Sequence, residues 1–332
     1  MEQIKIATFG CWNRKVEEDG KIPMTLVTDN IKSKETDYSD LVILGDNYYA
    51  KKTKIKVDGV KVTTIDYKQE DLEYGFELVE NINIPNKYLI MGNHDIEDTI
   101  GKNCIGLQSQ VNKTDKFNVM FPFNSKIIEL VDGTKIKYIF IDTTIYSSKF
   151  SPSCYDSVLQ KNVSTIIQEQ NEFIVNELND DSIKFFLIFG HEPLYSIKTK
   201  FSEEKQKYRI SDAVLIELSE LILNNSLGKN ISYICADVHM YQSGTVSNNT
   251  GASVKQIVCG TGGADKDYFV IDEKTFTKDN LTYDINITKD SYGYVELIID
   301  NNGVTHNYIN VLMDSTTKVY NKKYYIQYKN VL

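Results

Sequence analysis

The chain holds four histidines, and three of them stand in short polar turns that follow apolar runs. Lys87-Tyr88-Leu89-Ile90 leads into Met91-Gly92-Asn93-His94-Asp95. The run from Lys184 to Phe189 leads into Gly190-His191, and the run from Ile231 to Cys235 into Ala236-Asp237-Val238-His239. A fourth run, Leu41 to Leu44, ends in Gly45-Asp46-Asn47-Tyr48-Tyr49. A buried strand that stops abruptly in Gly-Asn-His-Asp is not a core pattern, because buried polar side chains cost free energy unless they find partners. Glycine lets the backbone turn sharply and approach something closely. Asn and His are ligand and acid/base types, and the C-terminal ends of strands are where α/β proteins hold ligands. Imidazoles this scarce, placed this way, predict a metal site.

The elements that must position these turns can be read in order. Ile4–Gly10 is a first buried strand, ending at Cys11-Trp12-Asn13, and Pro23 to Lys34 a helix. Lys51–Asp66 reads as a surface hairpin, and the apolar spacing of Leu72, Phe76 and Val79 predicts a helix over Glu70–Asn81. Ile96–Asn124 reads as a long irregular loop beside the site. Asp132-Gly133 predicts a hairpin between Lys126–Val131 and Ile136–Asp142. Val158–Leu178 has the spacing of one long helix, and Ser211–Leu223 that of another. Strands follow at Gln242–Thr245, Val254–Cys259, Tyr294–Ile299 and Val304–Leu312, with a final Tyr-rich strand at Lys318–Tyr328. Strand and helix alternate first, and strands dominate the end. The expected fold is α/β, a four-layer sandwich of two mixed β-sheets flanked by helices. Turns from near residue 10 to residue 239 must converge, so residues 1–332 are expected to form a single domain. Residues 264–332 would be a strand-rich C-terminal extension of it.

Composition narrows the function classes. With 332 residues, 41% of them hydrophobic, there is ample chain for a full core. The net charge of −9, without a basic stripe, argues against a nucleic-acid-binding face. The same charge repels a phosphate substrate unless bound cations reverse the field locally. The five cysteines, Cys11, Cys104, Cys154, Cys235 and Cys259, are odd in number and lack paired spacing. They predict free thiols in a reducing, intracellular setting. Cys235 and Cys259 end apolar strands and are expected in the core. No signal peptide and no membrane-spanning segment is evident, so the expected location is cytoplasmic.

The order Gly45-Asp46-Asn47-Tyr48-Tyr49, Gly92-Asn93-His94-Asp95, Gly190-His191-Glu192-Pro193 and Asp237-Val238-His239 resembles the motif series of calcineurin-like metallophosphoesterases. The tyrosine closing the second motif makes the resemblance strongest to the purple acid phosphatase branch. Gln170-Asn171-Glu172-Phe173-Ile174 is similar to that family's helix before the fourth motif, and Gly260-Thr261-Gly262-Gly263 to its Gly-rich segment after the last ligands. The resemblance spans Ile4 to Gly263. It implies two metal ions, which together clamp a phosphoryl group and generate a hydroxide nucleophile near neutral pH. Asp46 would bridge them. Tyr49 and His239 would bind the first ion, and Asn93 and His191 the second. His94 would stay off the metals and hold the phosphate, and Asp95 would orient the turn.

Two motifs depart from the family pattern. Cys11 stands where the family has a metal-binding Asp, and Asp237 where it has a His on the second ion. Cys11 is either a thiolate ligand, which favours softer ions, or a small buried residue filling the space. Asp237 is either a ligand that favours harder ions or a turn residue. The ions are therefore drawn from iron, zinc, manganese and magnesium. A further His that often follows the fourth motif as proton donor is missing from Ser196–Lys200, which leaves Lys200 as a substitute. The resemblance implies hydrolysis of phosphomonoesters on a phosphorylated small molecule, nucleotide or phosphoprotein. The alternatives are phosphodiester or nucleotide diphosphate hydrolysis, and a pseudo-phosphatase that serves as a binding or scaffold module.

Overall fold

The computed structural model describes residues 2–15, 17, 21–57, 60–96, 104–147, 152–202 and 207–311. Two mixed sheets form its centre. The first has the strand order Val304–Asn310, Gly293–Ile299, Ile4–Phe9, Asp40–Leu44, Asn86–Ile90, Asn118–Val119. The second has the order Thr275–Lys278, Leu281–Lys289, Tyr241–Asn248, Ser253–Cys259, Asn230–Cys235, Phe185–Phe189, Lys135–Phe140, Asn124–Glu129.

The central strands are parallel and buried on both faces, which explains their unbroken apolar runs. Successive side chains point to opposite faces, so each strand feeds two cores. Ile6, Val42, Leu44, Tyr88 and Ile90 of the first sheet meet Tyr138, Phe140, Leu187, Phe189 and Ile234 of the second. On the outer face of the first sheet, Leu41, Ile43 and Leu89 pack with Val27 and Ile31 of helix Pro23–Lys32 and with Leu72, Phe76 and Val79 of helix Gln69–Glu80. On the outer face of the second, Phe186, Ile188 and Tyr233 pack with Ile174 and Leu178 of helix Val163–Leu178 and with Leu218 and Ile222 of helix Ile216–Asn224. Helix, sheet, sheet, helix is the expected layering. Strands beyond Gly263 extend both sheets. Gly293–Ile299 pairs antiparallel with Ile4–Phe9, and Leu281–Lys289 with Tyr241–Asn248.

Several local expectations need correction. The helix read over Val158–Leu178 is two helices, Pro152–Leu159 and Val163–Leu178. Gln160 has φ 55°, and the Asn162 side chain accepts from Thr165 N, so a new N-cap starts the second helix. Within Ser211–Leu223, residues up to Val214 are extended and pair with Tyr195–Ser202, and the helix begins only at Ile216. The two strands form a local hairpin, Ser202 opposite Lys207, and the helical spacing that runs on from Leu215 masks its second strand. The supposed loop Ile96–Asn124 contains helix Ile105–Val111 and strand Asn118–Val119. The hairpins at Lys51–Asp66 and around Asp132-Gly133 are present. Lys318–Tyr328 lies outside the described residues.

The cysteines are not all free. Cys104 and Cys154 form a disulfide between the start of helix Ile105–Val111 and helix Pro152–Leu159. A sequence separation of 50 carries no spacing signal. The pairing removes the thiol argument for a reducing compartment. Cys11, Cys235 and Cys259 are free and buried.

Candidate metal centre

Five strands end at one place. Cys11 stands two residues past strand Ile4–Phe9, Asp46 two past Asp40–Leu44, and Asn93 three past Asn86–Ile90. From the second sheet, His191 stands two past Phe185–Phe189 and Asp237 two past Asn230–Cys235. Cys11, Asp46 and Asp237 all adopt left-handed backbone, with φ of 53°, 52° and 52°. Each such residue costs on the order of 1–3 kcal/mol, and such strain clusters at functional sites. Two glycines let the turns interlock. A Cβ at Gly92 would lie 2.4 Å from Asp46 N and 2.5 Å from Asp46 Oδ1, and one at Gly45 would lie 2.6 Å from Gly92 N.

The donor atoms fall into two groups around one carboxylate. Asp46 Oδ2 is 3.0 Å from Tyr49 Oη and 3.7 Å from Cys11 Sγ. Tyr49 Oη is in turn 3.3 Å from His239 Nε2, and Cys11, Asp46 and His239 offer ligand atoms within 4.8 Å of one another. Asp46 Oδ1 is 3.2 Å from His191 Nε2, which lies 3.2 Å from Asn93 Oδ1 and 3.9 Å from Asp237 Oδ1. Cys11, Asp46 and His191 make a floor at 0, 1 and 0% exposure. Tyr49, Asn93, His94, Asp237 and His239 form a half-buried rim. The His94 ring lies against Tyr49, 4.5 Å between centroids, and His94 N donates to Asp46 Oδ1 at 3.0 Å.

Both candidate imidazole ligands are oriented by backbone. His191 Nδ1 donates to Leu44 O and His239 Nδ1 to Asp265 O, each at 2.6 Å. Both Nε2 atoms are thereby turned to the cluster, the arrangement found around metal-binding histidines. Asp95 accepts from Gly92 N at 2.7 Å, Asn47 N at 2.9 Å and Gln110 Nε2 at 3.1 Å, so it ties the second and third turns together. The Gly-rich segment closes the first turn, with Gly262 N donating to Gly10 O and Ala264 N to Cys11 O.

The electrostatics suit cations. Burial pushes Asp46 towards the neutral form, but the imidazoles of His191 and His94 outweigh it and hold the carboxyl well below its usual range. Burial alone would keep His191 neutral, and the carboxylates of Asp46 and Asp237 instead raise it. Burial pushes the Cys11 thiol up, followed by the charges of Asp46 and Asp237. Burial and then Asp46 raise Asp95 to about 7. The carboxylates and the thiol are thus kept balanced by protons that a bound cation would replace. The donor sets, two oxygens, a sulfur and an imidazole on one side and three oxygens and an imidazole on the other, fit two metal ions.

Other parts of the site had weak sequence signals. Asp267 Oδ2 accepts from His239 N at 3.0 Å and from Lys198 Nζ at 2.7 Å. Asp265 pairs with Arg14 at 2.6 Å. Asp265 and Asp267 follow directly on the Gly-rich segment, which is the only hint of them. Lys200 is exposed, two residues farther out than Lys198 on the same face of strand Tyr195–Ser202. The fourth histidine, His306, meets Tyr241 Oη at 2.8 Å away from the cluster.

This fold and turn arrangement define a class, and the sequence bears it out. The sequence profile of calcineurin-like phosphoesterases matches residues 5–227, and the chain belongs to that family. Three solved structures share its fold. GAP50, the anchor in the inner membrane complex of Plasmodium, aligns with a TM-score of 0.60 at 15% identity, over 94% of this chain and 86% of that one. Purple acid phosphatase PPD1 from yellow lupin (Lupinus luteus) aligns at 0.58 and 14%, over 93% of this chain and 52% of that one. PhoD aligns at 0.55 and 11%, over 93% and 69%. No curated protein sequence matches the chain.

Proposed function

We propose that the chain is a dinuclear-metal phosphoesterase of purple acid phosphatase type that hydrolyses phosphomonoesters. The observation that carries this reading is the division of the Asp46 carboxylate between two donor groups. Cys11, Tyr49 and His239 would hold one ion, and Asn93, His191 and Asp237 the other. Two ions bound there supply charge neutralisation for the phosphoryl group and lower the pKa of water. His94 reaches the rim without joining either group, and in this reading it holds a phosphate oxygen as charge builds up in transfer. Asp95 fixes the turns that carry Asp46 and Asn93. Cys11 draws softer ions such as zinc or iron to its side, and Asp237 harder ones such as manganese or magnesium to the other. The substrate is a phosphorylated small molecule, nucleotide or phosphoprotein.

The mixed sheets, each extended by strands from beyond Gly263, support a single domain over the described residues. Among the described residues no helix is long and apolar enough to cross a membrane. The Cys104–Cys154 disulfide supports a setting oxidising enough to keep it formed.

A second reading, a non-catalytic binding module, is favoured by the replacements at Cys11 and Asp237 and by the fold shared with an anchor protein. One experiment separates the two. Purified protein is reloaded with iron, zinc, manganese or magnesium and assayed on an aryl phosphate, with His94→Ala as control. A phosphoesterase turns over only with metal and loses about 10²–10³-fold in the control. A folded protein with no turnover under any ion sinks the enzyme reading.

A further inference from the structure

The chain contains two arginines among its 37 basic residues, and one of them, Arg14, stands at the mouth of the metal centre. Its guanidinium lies 5.7 Å from the centroid of the Tyr49 ring, and that ring lies against His94. Arg14 also pairs with Asp265 at 2.6 Å, and the Asp265 carbonyl orients His239. Both partners of the pair are open to solvent, with side chains 42% and 58% exposed. An exposed ion pair contributes little to stability, so its position needs another account. A guanidinium fork matches a phosphoryl group as well as it matches a carboxylate. It could exchange Asp265 for a phosphate without disturbing the carbonyl that holds His239.

We propose that Arg14 is a specificity residue that binds a second phosphoryl group, so that the preferred substrate is an organic diphosphate. The proposal rests on the phosphoesterase reading and narrows its substrate class. Arg14 stands over the face of Tyr49, whereas the Tyr49 hydroxyl is the atom that meets Asp46 and His239. It therefore lies beside the cluster without joining either donor group. In the reaction, water oxygen bonds to the terminal phosphorus as the bond from that phosphorus to the bridging oxygen breaks. The products are inorganic phosphate and an organic monophosphate, with one proton released.

The test is calorimetric binding of inorganic pyrophosphate and inorganic phosphate to metal-loaded protein, with ion content measured after each titration. The variants are Arg14→Ala, Arg14→Lys and, as a control for charge alone, Lys15→Ala, whose neighbouring cation pairs instead with Asp71. We expect pyrophosphate to bind wild type at least tenfold more tightly than phosphate. Arg14→Ala should cut that ratio to about twofold or less, Arg14→Lys should restore part of it, and Lys15→Ala should keep it. If Arg14→Ala weakens both ligands equally, or neither, Arg14 is only a clamp on the Asp265 loop and the proposal falls. Aryl phosphate turnover by wild type, measured alongside, separates the two failures. Its absence overturns the hydrolase reading, whereas turnover with a ratio indifferent to Arg14 overturns this inference alone.

Discussion

Asp46 meets His191 Nε2 through Oδ1 at 3.2 Å, which leaves Oδ2 to face Tyr49 and Cys11 on the other side. One buried carboxylate thus serves two donor groups, each drawn from the strand ends of both sheets. The strand ends do the positioning, and the left-handed residues Cys11, Asp46 and Asp237 mark the backbone cost of aiming them at one point.

The contact between Gly92 and Asp46 leaves no room for a methyl group. Gly92→Ala would place Cβ 2.5 Å from Asp46 Oδ1, so the second and third turns must separate. We expect a loss of about 1–3 kcal/mol in stability, with weaker metal binding. Thermal unfolding with and without added metal measures both. An unchanged Tm would show that the turns are looser than described.

Cys11 decides how soft one ion site is. Cobalt(II)-loaded protein should show a thiolate-to-metal charge-transfer band in the near ultraviolet that Cys11→Ser abolishes and Cys11→Asp does not restore. Cys11→Asp should instead shift metal preference towards harder ions. Absence of the band in the wild type would make Cys11 a filler of space.

His306 gives the fold a pH dependence separate from the site. Burial, and then the charge of Lys255, lower its pKa to about 4 from an ordinary 6.5. The folded state therefore binds fewer protons than the unfolded state between those values. Stability from this residue is present above pH 6.5 and is lost as pH falls towards 4. Partial exposure discounts the effect to about 1–2 kcal/mol. Urea unfolding from pH 4 to 7 should show a shallower pH slope for His306→Gln, and identical slopes would refute the assignment.

The disulfide should be a staple. Cys104 and Cys154 are 2% and 0% exposed and close a loop with a sequence separation of 50. Replacing both by serine should cost about 2–4 kcal/mol. The helices it joins carry Gln110, which donates to Asp95, and Tyr155, which donates to Asp142. Denaturant unfolding of the double variant tests this, and an unchanged midpoint would argue against the bond.

The layering and the strand ends were legible because a doubly buried strand writes itself as an apolar run, and the residues after it are conspicuous when polar. His94, His191 and His239 stood out for that reason. Less was legible where partners are distant in sequence. The local hairpin of Tyr195–Ser202 with Lys207–Val214 was missed for another reason, because the helical spacing of Leu215, Leu218 and Ile222 carried the helix back over its second strand. Lys200 was singled out, and nothing in the local sequence tells that Lys198 is the lysine that meets Asp267. Asp95 was read as an orienting residue, but its grip on Gln110 needed the helix at Ile105–Val111, which seven residues with few apolar positions could not announce.

The most direct measurement counts metal ions. Elemental analysis of reloaded, desalted protein should find two ions per chain in the wild type and at most one in Asp46→Ala, with circular dichroism confirming that the variant is folded. One ion or none in the wild type, or two retained without the Asp46 carboxylate, would contradict the bridging role on which the account rests.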